Sequence, residues 1–295
     1  ALHAASFLGL EKAMSRLGVV CQVAARGARR STQVLHRRNA HTVLLMRHGE
    51  SIWNLENKFT GWYDIALSPK GHEEAIEGGK LVKEAGLKFD LAYTSTLKRA
   101  IRTLDHALEE TDHMWIPVVK AWQLNERHYG ALTGLDKKET VAQHGAEQVN
   151  VWRRSYDVPP PPLDKTSEHY PGNDPKYKLL DANSMPTTES LELTAKRVIP
   201  YWQQIIVPEI KAGKSIIIAA HGNSLRALVQ YLDDISNEVI AELNIPTATP
   251  LLYHLDDNMK PIAFPEAIAP LTGKYLGDLD AIRARIEGVK NQTGK

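Results

Sequence analysis

The chain has 295 residues, 43% of them hydrophobic and 24% charged, with a formal net charge of +1. These values fit a globular protein with a sizeable core and argue against a disordered chain. No run approaches the roughly 18 apolar residues of a membrane span, and the basic excess is confined to residues 1–40, so the sequence argues against both membrane and nucleic-acid partners.

Residues 1–40 carry a net charge of +6, and the remaining 255 carry −5. The arm is rich in Ala, Arg and Ser, amphipathic around Phe7, Leu8, Leu10, Met14 and Leu17, and holds the only cysteine, Cys21. It reads either as a mitochondrial or plastid transit peptide or as a disordered extension. Without a targeting role for the arm, a cytoplasmic location is expected. A body free of cysteine has no disulfide, thiolate nucleophile or Cys-based zinc site, which suits a reducing compartment.

From residue 41 onward strand-like and helix-like segments alternate. Strands are predicted at 42–46, 90–94, 116–120, 215–220 and 251–255, and helices at 69–85, 98–110, 137–144, 188–212, 225–232 and 236–243. Ser68-Pro69 supplies an N-cap with proline in the first turn, and Gly86 a stop. This order predicts an α/β fold, a mostly parallel central sheet with helices on both faces in three α/β/α layers. Residues 41–295 are expected to form a single catalytic domain with a Pro-rich insertion at 156–186 and a flexible C-terminal tail. The insertion, with Pro159 to Pro162, Pro171, Pro175 and Pro186, is too long for a passive connector.

Two histidines occupy matching settings. Arg47-His48-Gly49-Glu50 follows one short apolar run and His221-Gly222-Asn223-Ser224 follows another. Parallel strands deliver ligands to their carboxyl ends, so two adjacent strands would bring both imidazoles to one cavity. A strand ending in Arg-His-Gly can cradle a phosphate, and its imidazole can attack phosphorus if a hydrogen bond fixes the other ring nitrogen. Arg47 and Arg99 are candidate clamps and His221 a candidate donor, because phosphoryl transfer needs several cations and donors around the moving oxygens. Arg99 alone also reads as a solvated helix residue. Glu126, in Leu124-Asn125-Glu126-Arg127-His128-Tyr129-Gly130, is the candidate proton acceptor, with a surface salt bridge to Arg127 as the competing reading.

Other chemistries fit less well. Gly222-Asn223-Ser224-Leu225-Arg226 lacks the second glycine of a nucleophile elbow. Neither a His-Glu-x-x-His motif, a Walker loop nor a dinucleotide-binding glycine pattern is present, and no metal is expected.

From Thr42 to Leu255 the chain resembles the cofactor-dependent phosphoglycerate mutases of the histidine phosphatase superfamily. The motifs are Arg47 to Asn54, Phe59 to Asp64, Tyr93 to Thr103, Leu124 to Gly134, Trp152 to Arg154 and Ile217 to Leu228. The resemblance implies a phosphoglycerate mutase-like fold. It also implies interconversion of 3- and 2-phosphoglycerate, as in glycolysis and gluconeogenesis, through a phosphohistidine on His48 primed by 2,3-bisphosphoglycerate, without a metal. Within the matching motifs it makes Glu126 the proton donor and acceptor. Arg47, Asn54, Arg99, His221, Gly222 and Asn223 then surround the phosphoryl group, and Tyr129, Lys137, Arg153 and Arg154 grip the far end of the substrate. Thr60 and Gly61 become the carboxylate contact. Ser51 and the Thr60-Gly61 pair favour the mutases over the related bisphosphoglycerate synthases, with minor synthase and phosphatase activities expected. A homodimer or homotetramer acting on small-molecule phosphoglycerates is also implied. The competing readings are a broad phosphatase and a catalytically silent ligand-binding scaffold. Two departures from the pattern are the longer link 262–272 ahead of Tyr275-Leu276-Gly277, expected to affect closure by the tail Val289 to Lys295, and the basic arm.

Overall fold

β1 (His41–Arg47) and β4 (Ile216–Ala220) are runs of β-branched and aliphatic residues buried on both faces, the pattern of central parallel strands. They pair with each other in parallel, and β2 (Leu91–Thr94) joins the far side of β4 in the same sense, followed by β3 (Val118–Lys120). β5 (Leu251–Leu255) runs antiparallel on the other side of β1 and carries two short antiparallel strands, β6 (Pro261–Ile262) and β7 (Lys274–Tyr275). The result is a mixed seven-stranded sheet in the order β3-β2-β4-β1-β5-β6, with β7 also on β5. The computed structural model describes residues 40–181 and 184–290, with side chains to Glu287. Apart from Ala40, the basic arm and its targeting reading therefore lie outside the described residues.

The period-two alternation of each strand divides the core. Val43, Leu45, Tyr93, Ile216 and Ile218 face α6 (Leu191–Tyr201), its π-helical continuation Trp202–Ile206, α7 (Val207–Lys211) and α8 (Gly222–Asp233). Leu44, Met46, Ala92, Ile217 and Ala219 face α2 (Pro69–Glu84) and α3 (Lys98–Glu110). Each fully buried aliphatic side chain contributes about 1.5–3 kcal/mol, and the expected α/β/α layering follows from these two faces. Among the described residues no helix is long and apolar enough to cross a membrane.

Several boundaries differ from the sequence expectation for definable reasons. β3 starts at Val118 because Pro117 has no N–H to give to the ladder, although its carbonyl accepts from Ala92. The helix expected from 188 starts at Leu191, since Ser190 is its N-cap and accepts from the Leu193 N–H; Glu189 is thereby left outside it. The helix expected at 225–232 starts instead at Gly222, directly after His221. Helices α1 (Ile52–Leu55) and α5 (Ala146–Arg154) were not anticipated. α5 is set off from α4 (Lys137–His144) by Gly145 at φ 82° and packs Val149 against Phe59 and Leu132.

The Pro-rich segment is docked rather than slack. The Pro161 carbonyl accepts from Ala131, Leu163 donates to Thr187, and the Tyr177 hydroxyl bonds Thr96 and Asn125. The link 262–272 is likewise held, by Phe264 to Thr272 and by Thr272 to Asp233, beside the sheet edge. After α9 (Asn237–Glu242) and the β5–β7 strands, residues Leu279–Lys290 form helix α10, ahead of most of the expected tail. Asp278 accepts from the first-turn amides of Asp280 and Ala281, and Leu279, Ile282 and Ile286 pack on the core. Residues 291–295 lie outside the described residues.

Candidate active site

β1 and β4 end side by side, and the His48 N–H donates to the Ala220 carbonyl at 2.9 Å. The two imidazoles consequently meet edge to face with centroids 5.0 Å apart, as their matching settings predict. A Cβ on Gly49 would overlap the Gly71 backbone, and one on Gly71 the Glu50 backbone, so the loop after His48 lies directly on the start of α2. The Gly49 N–H donates to Thr103 of α3. The loop carrying His48 is thus fixed from two helices.

His48 Nδ1 lies 2.7 Å from the Gly49 carbonyl, an acceptor only. Nδ1 must carry the proton, and the Nε2 lone pair is left to act as a nucleophile. Burial, reinforced by Arg99 and Arg47, holds the His48 pKa well below its ordinary value, so the ring is neutral near pH 7. His221 is fully buried, neutral for the same leading cause, and bonded through Nε2 to Ser95; its Nδ1 has no partner among the described residues.

Glu126 is buried and belongs to this cluster rather than to a surface ion pair with Arg127. Its Oε1 accepts from the Asn223 and Arg127 backbone amides and from the Asn223 side-chain amide at 2.8–3.0 Å. Asn223 can reach it because α8 begins at Gly222. A Cβ on Gly222 would sit 3.5 Å from the Arg47 guanidinium and 3.7 Å from Glu126 Oε2, so those two groups share one space across this glycine.

That space is a cavity of about 140 Å³. Its wall carries seven cations, Arg47, Lys58, Arg99, Lys137, Arg153, Arg154 and Arg226, against one carboxylate, Glu126. Arg99 is buried and donates to the Gly61 and Tyr63 carbonyls, which fixes the turn holding Thr60 and Gly61; burial lowers its pKa to about 10. The buried Thr60 hydroxyl has no partner among the described residues. Arg127 donates to the Trp152 and Arg153 carbonyls at the end of α5, aiming Arg153 and Arg154 at the cavity, and lies over the Tyr129 ring at 4.5 Å. Burial would raise the Tyr129 pKa, but Arg127 and Arg153 bring it down to about 8. Burial, with Arg153 and Arg47 nearby, lowers Lys137 to about 8.

All the expected site residues line this cavity except Ser51 and His221. His221 stands behind the wall, its ring against His48. Ser51 is fully buried as the N-cap of α1, and its hydroxyl and amide both donate to Asn54 Oδ1, turning Asn54 to face the cavity. The structure thus places Ser51 behind Asn54, as a support for a residue that lines the cavity. Sequence reasoning missed Ser95, Arg226 and the buried pair Arg197–Glu189. Arg197 binds Glu189 through two nitrogens at 2.7 and 2.8 Å and donates to the Gln123, Asn125 and Glu126 carbonyls. Ser95 sits in the strand-tip sequence Thr94-Ser95-Thr96, which could have flagged it; the Arg197–Glu189 pair has no local signal.

Candidate ligand atoms of His48, Glu126 and His221 lie within 4.8 Å of one another, a spacing that a metal ion also uses. The surrounding field is set by the half-buried Arg47 and the buried Arg99 and suits an anion better than a divalent cation. A phosphoryl group carries the matching charge.

Residues 43–172 match the family model described as Histidine phosphatase superfamily (branch 1). Three solved structures are similar in fold. The mycobacterial glucosyl-3-phosphoglycerate phosphatase in complex with VO3 is 19% identical, with TM-score 0.58 over 76% of this chain and 97% of that one. The alpha-ribazole phosphatase from Shigella flexneri is 19% identical, with TM-score 0.57 over 80% and 98%. YhfR from Bacillus stearothermophilus is 20% identical, with TM-score 0.57 over 77% and 98%.

Proposed function

We propose that this chain is a histidine phosphatase superfamily enzyme that works as a phosphoglycerate mutase, interconverting 3- and 2-phosphoglycerate with 2,3-bisphosphoglycerate as primer. The observation that carries this reading is the wall of seven cations around a neutral His48 with a single carboxylate beside it. A bisphosphorylated carboxylic acid carries more negative charge than one phosphate monoester and suits so cationic a wall better. Arg47, Arg99 and Asn223 stand near His48, while Lys137, Arg153, Arg154 and Tyr129 form a second anionic subsite. Thr60, with its unpaired hydroxyl, and Gly61 are suited to the carboxylate.

In this mechanism the bisphosphorylated primer supplies the phosphoryl group. His48 Nε2 forms a bond to phosphorus as the P–O bond to carbon-bound oxygen breaks, and protonated Glu126 gives its proton to the departing oxygen. In the return step Glu126 takes the proton of the other hydroxyl as the new O–P bond forms and the N–P bond breaks. His221 Nδ1, Arg47 and Arg99 carry the charge on the equatorial oxygens. Interception by water would give minor bisphosphoglycerate phosphatase activity and initial transfer from other donors minor synthase activity. The reading includes a homodimer or homotetramer. It also includes a cytoplasmic location, or a plastid or mitochondrial one if the arm is a transit peptide.

A hydrolytic phosphatase is the second reading, favoured by the names of the similarly folded proteins. One experiment separates them. The protein is incubated with 2,3-bisphosphoglycerate, the acid-labile adduct on His48 is sought by intact mass, and 3-phosphoglycerate isomerisation is assayed with and without primer. Adduct with primer-stimulated isomerisation supports the mutase. Adduct released only to water supports the phosphatase, and no adduct overturns both.

A further inference from the structure

Arg226 is a buried cation with no carboxylate within ion-pair distance among the described residues. Its Nε and Nη2 donate to the Ile240 carbonyl, Nη2 also to that of Ala241 at 3.1 Å, and Nη1 to Asn223 Oδ1 at 3.0 Å. Burial, with Arg154 and Arg127 nearby, lowers its pKa to about 9. A guanidinium kept at this cost has a use beyond filling space.

The use lies in the asymmetry of an amide. Asn223 can present either oxygen or NH2 to Glu126, two orientations of nearly the same shape. Arg226 only donates, so it accepts only the orientation with Oδ1 toward itself, and this sends Nδ2 to Glu126 Oε1 at 2.9 Å. Oε1 is then saturated by three donors, and Oε2, which faces the same space at Gly222 as the Arg47 guanidinium, is the oxygen left to handle a proton. Without Arg226 the carboxylate still favours Nδ2, but Oδ1 loses its donor, so the amide is free to rotate away from Oε1 and open it to other contacts.

We propose that Arg226 is a positioning residue for proton transfer: through Asn223 it selects which oxygen of Glu126 faces the substrate. The proposal rests on the acid–base role of Glu126 given above. The same guanidinium grips the end of α9, and Arg154 donates to Ala241 and Asn244, so the 240–245 wall of the cavity and the acid–base group are set by adjacent arginines.

The test uses leaving-group dependence. An alkyl phosphate needs a proton on its departing oxygen, whereas the aryl leaving group of p-nitrophenyl phosphate needs little help. Turnover of 3-phosphoglycerate and of p-nitrophenyl phosphate is measured for the full chain and for Glu126→Gln, Arg226→Met and Arg226→Lys, with thermal unfolding as a folding check. The expected result is a fall of about tenfold or more in the kcat ratio of alkyl to aryl substrate in Arg226→Met, in the same direction as in Glu126→Gln. Lysine, a single donor that can still reach Oδ1, should restore part of the ratio. A rise in KM for both substrates with the kcat ratio held would overturn the proposal and make Arg226 an anion anchor only. Equal loss of kcat for both substrates in folded Arg226→Met would overturn it as well. If Glu126→Gln itself leaves the ratio unmoved, the acid–base reading fails independently of Arg226.

Discussion

His48 and His221 meet with ring centroids 5.0 Å apart because the His48 amide is tied to the carbonyl of Ala220, the residue before His221. Neither ring can take a proton without placing a cation beside Arg99 and Arg47 in a buried site. His128, behind the Glu126 loop, is depressed by burial to about 4.

These three histidines make acid stability a direct readout of the site. Each binds a proton more readily in the unfolded chain, so their stabilising effect is full above the unfolded pKa and is lost as pH falls through about 6.5. Each contributes a slope approaching about 1.4 kcal/mol per pH unit between its unfolded and folded pKa. Denaturant melts from pH 7.5 to 5 should show stability falling by several kcal/mol. In His221→Asn the slope should drop by about one proton's worth. An unchanged slope in that variant would mean that His221 is charged in the fold.

Removing the nucleophile should remove both partial reactions. His48→Ala is expected to form no acid-labile adduct and to have no measurable isomerase activity. Glu126→Gln should lose roughly 10²–10⁴ in kcat while still binding a bisphosphorylated ligand by calorimetry. Isomerase activity retained in His48→Ala would rule out the phosphohistidine route.

Much of this site is visible in the sequence because its parts are strand tips. A short apolar run ending in His-Gly announces where a parallel strand stops, and the Arg47–His48 and His221–Asn223 settings both do so. What could not be read depends on long-range capture. Glu189 looks like the first turn of a helix until Ser190 is seen to cap it, and only then can Glu189 fold back onto Arg197. Arg226 sits on α8 where an exposed polar residue would be unremarkable; its burial follows from α9 closing over it. Likewise β6 and β7, two residues each, are too short to carry an alternation and exist only because β5 offers an edge.

The Glu189–Arg197 pair should behave as a structural clamp with a catalytic consequence. Both side chains are buried, and removing one leaves the other charge uncompensated, a loss of about 3–5 kcal/mol. Glu189→Ala should therefore lower the melting temperature by roughly 10 °C. Because Arg197 also holds the Gln123, Asn125 and Glu126 carbonyls, kcat should fall in the protein that remains folded. Undiminished kcat would show that the Glu126 loop is held by its other contacts.

Alkaline pH should weaken substrate binding before it touches chemistry. Lys137 loses its positive charge and Tyr129 gains a negative one near pH 8, and both changes oppose an anionic ligand. KM for 3-phosphoglycerate should rise above about pH 8 with kcat less affected. Lys137→Arg keeps its charge at that pH and should move the rise upward, leaving only the Tyr129 share. A KM that is flat to pH 9 would place the second subsite elsewhere.

The remaining prediction concerns the open edge of the sheet. Among the described residues β3 pairs only with β2, and all three of its residues are exposed. Met114 and Trp115, at 58% and 76% exposure, lie just before it, beside Val118 and Val119. An exposed strand edge with apolar neighbours is a template for pairing, and antiparallel pairing of β3 with its own copy about a twofold axis would cover both edges at once. We therefore expect a dimer in solution, built through this edge. Light scattering should give about twice the chain mass, and Trp115→Glu with Val119→Lys should shift the protein toward monomer, since each buried unpaired charge opposes the contact. A dimer that survives both substitutions would have to use a different face, and a wild-type monomer would remove the proposed assembly altogether.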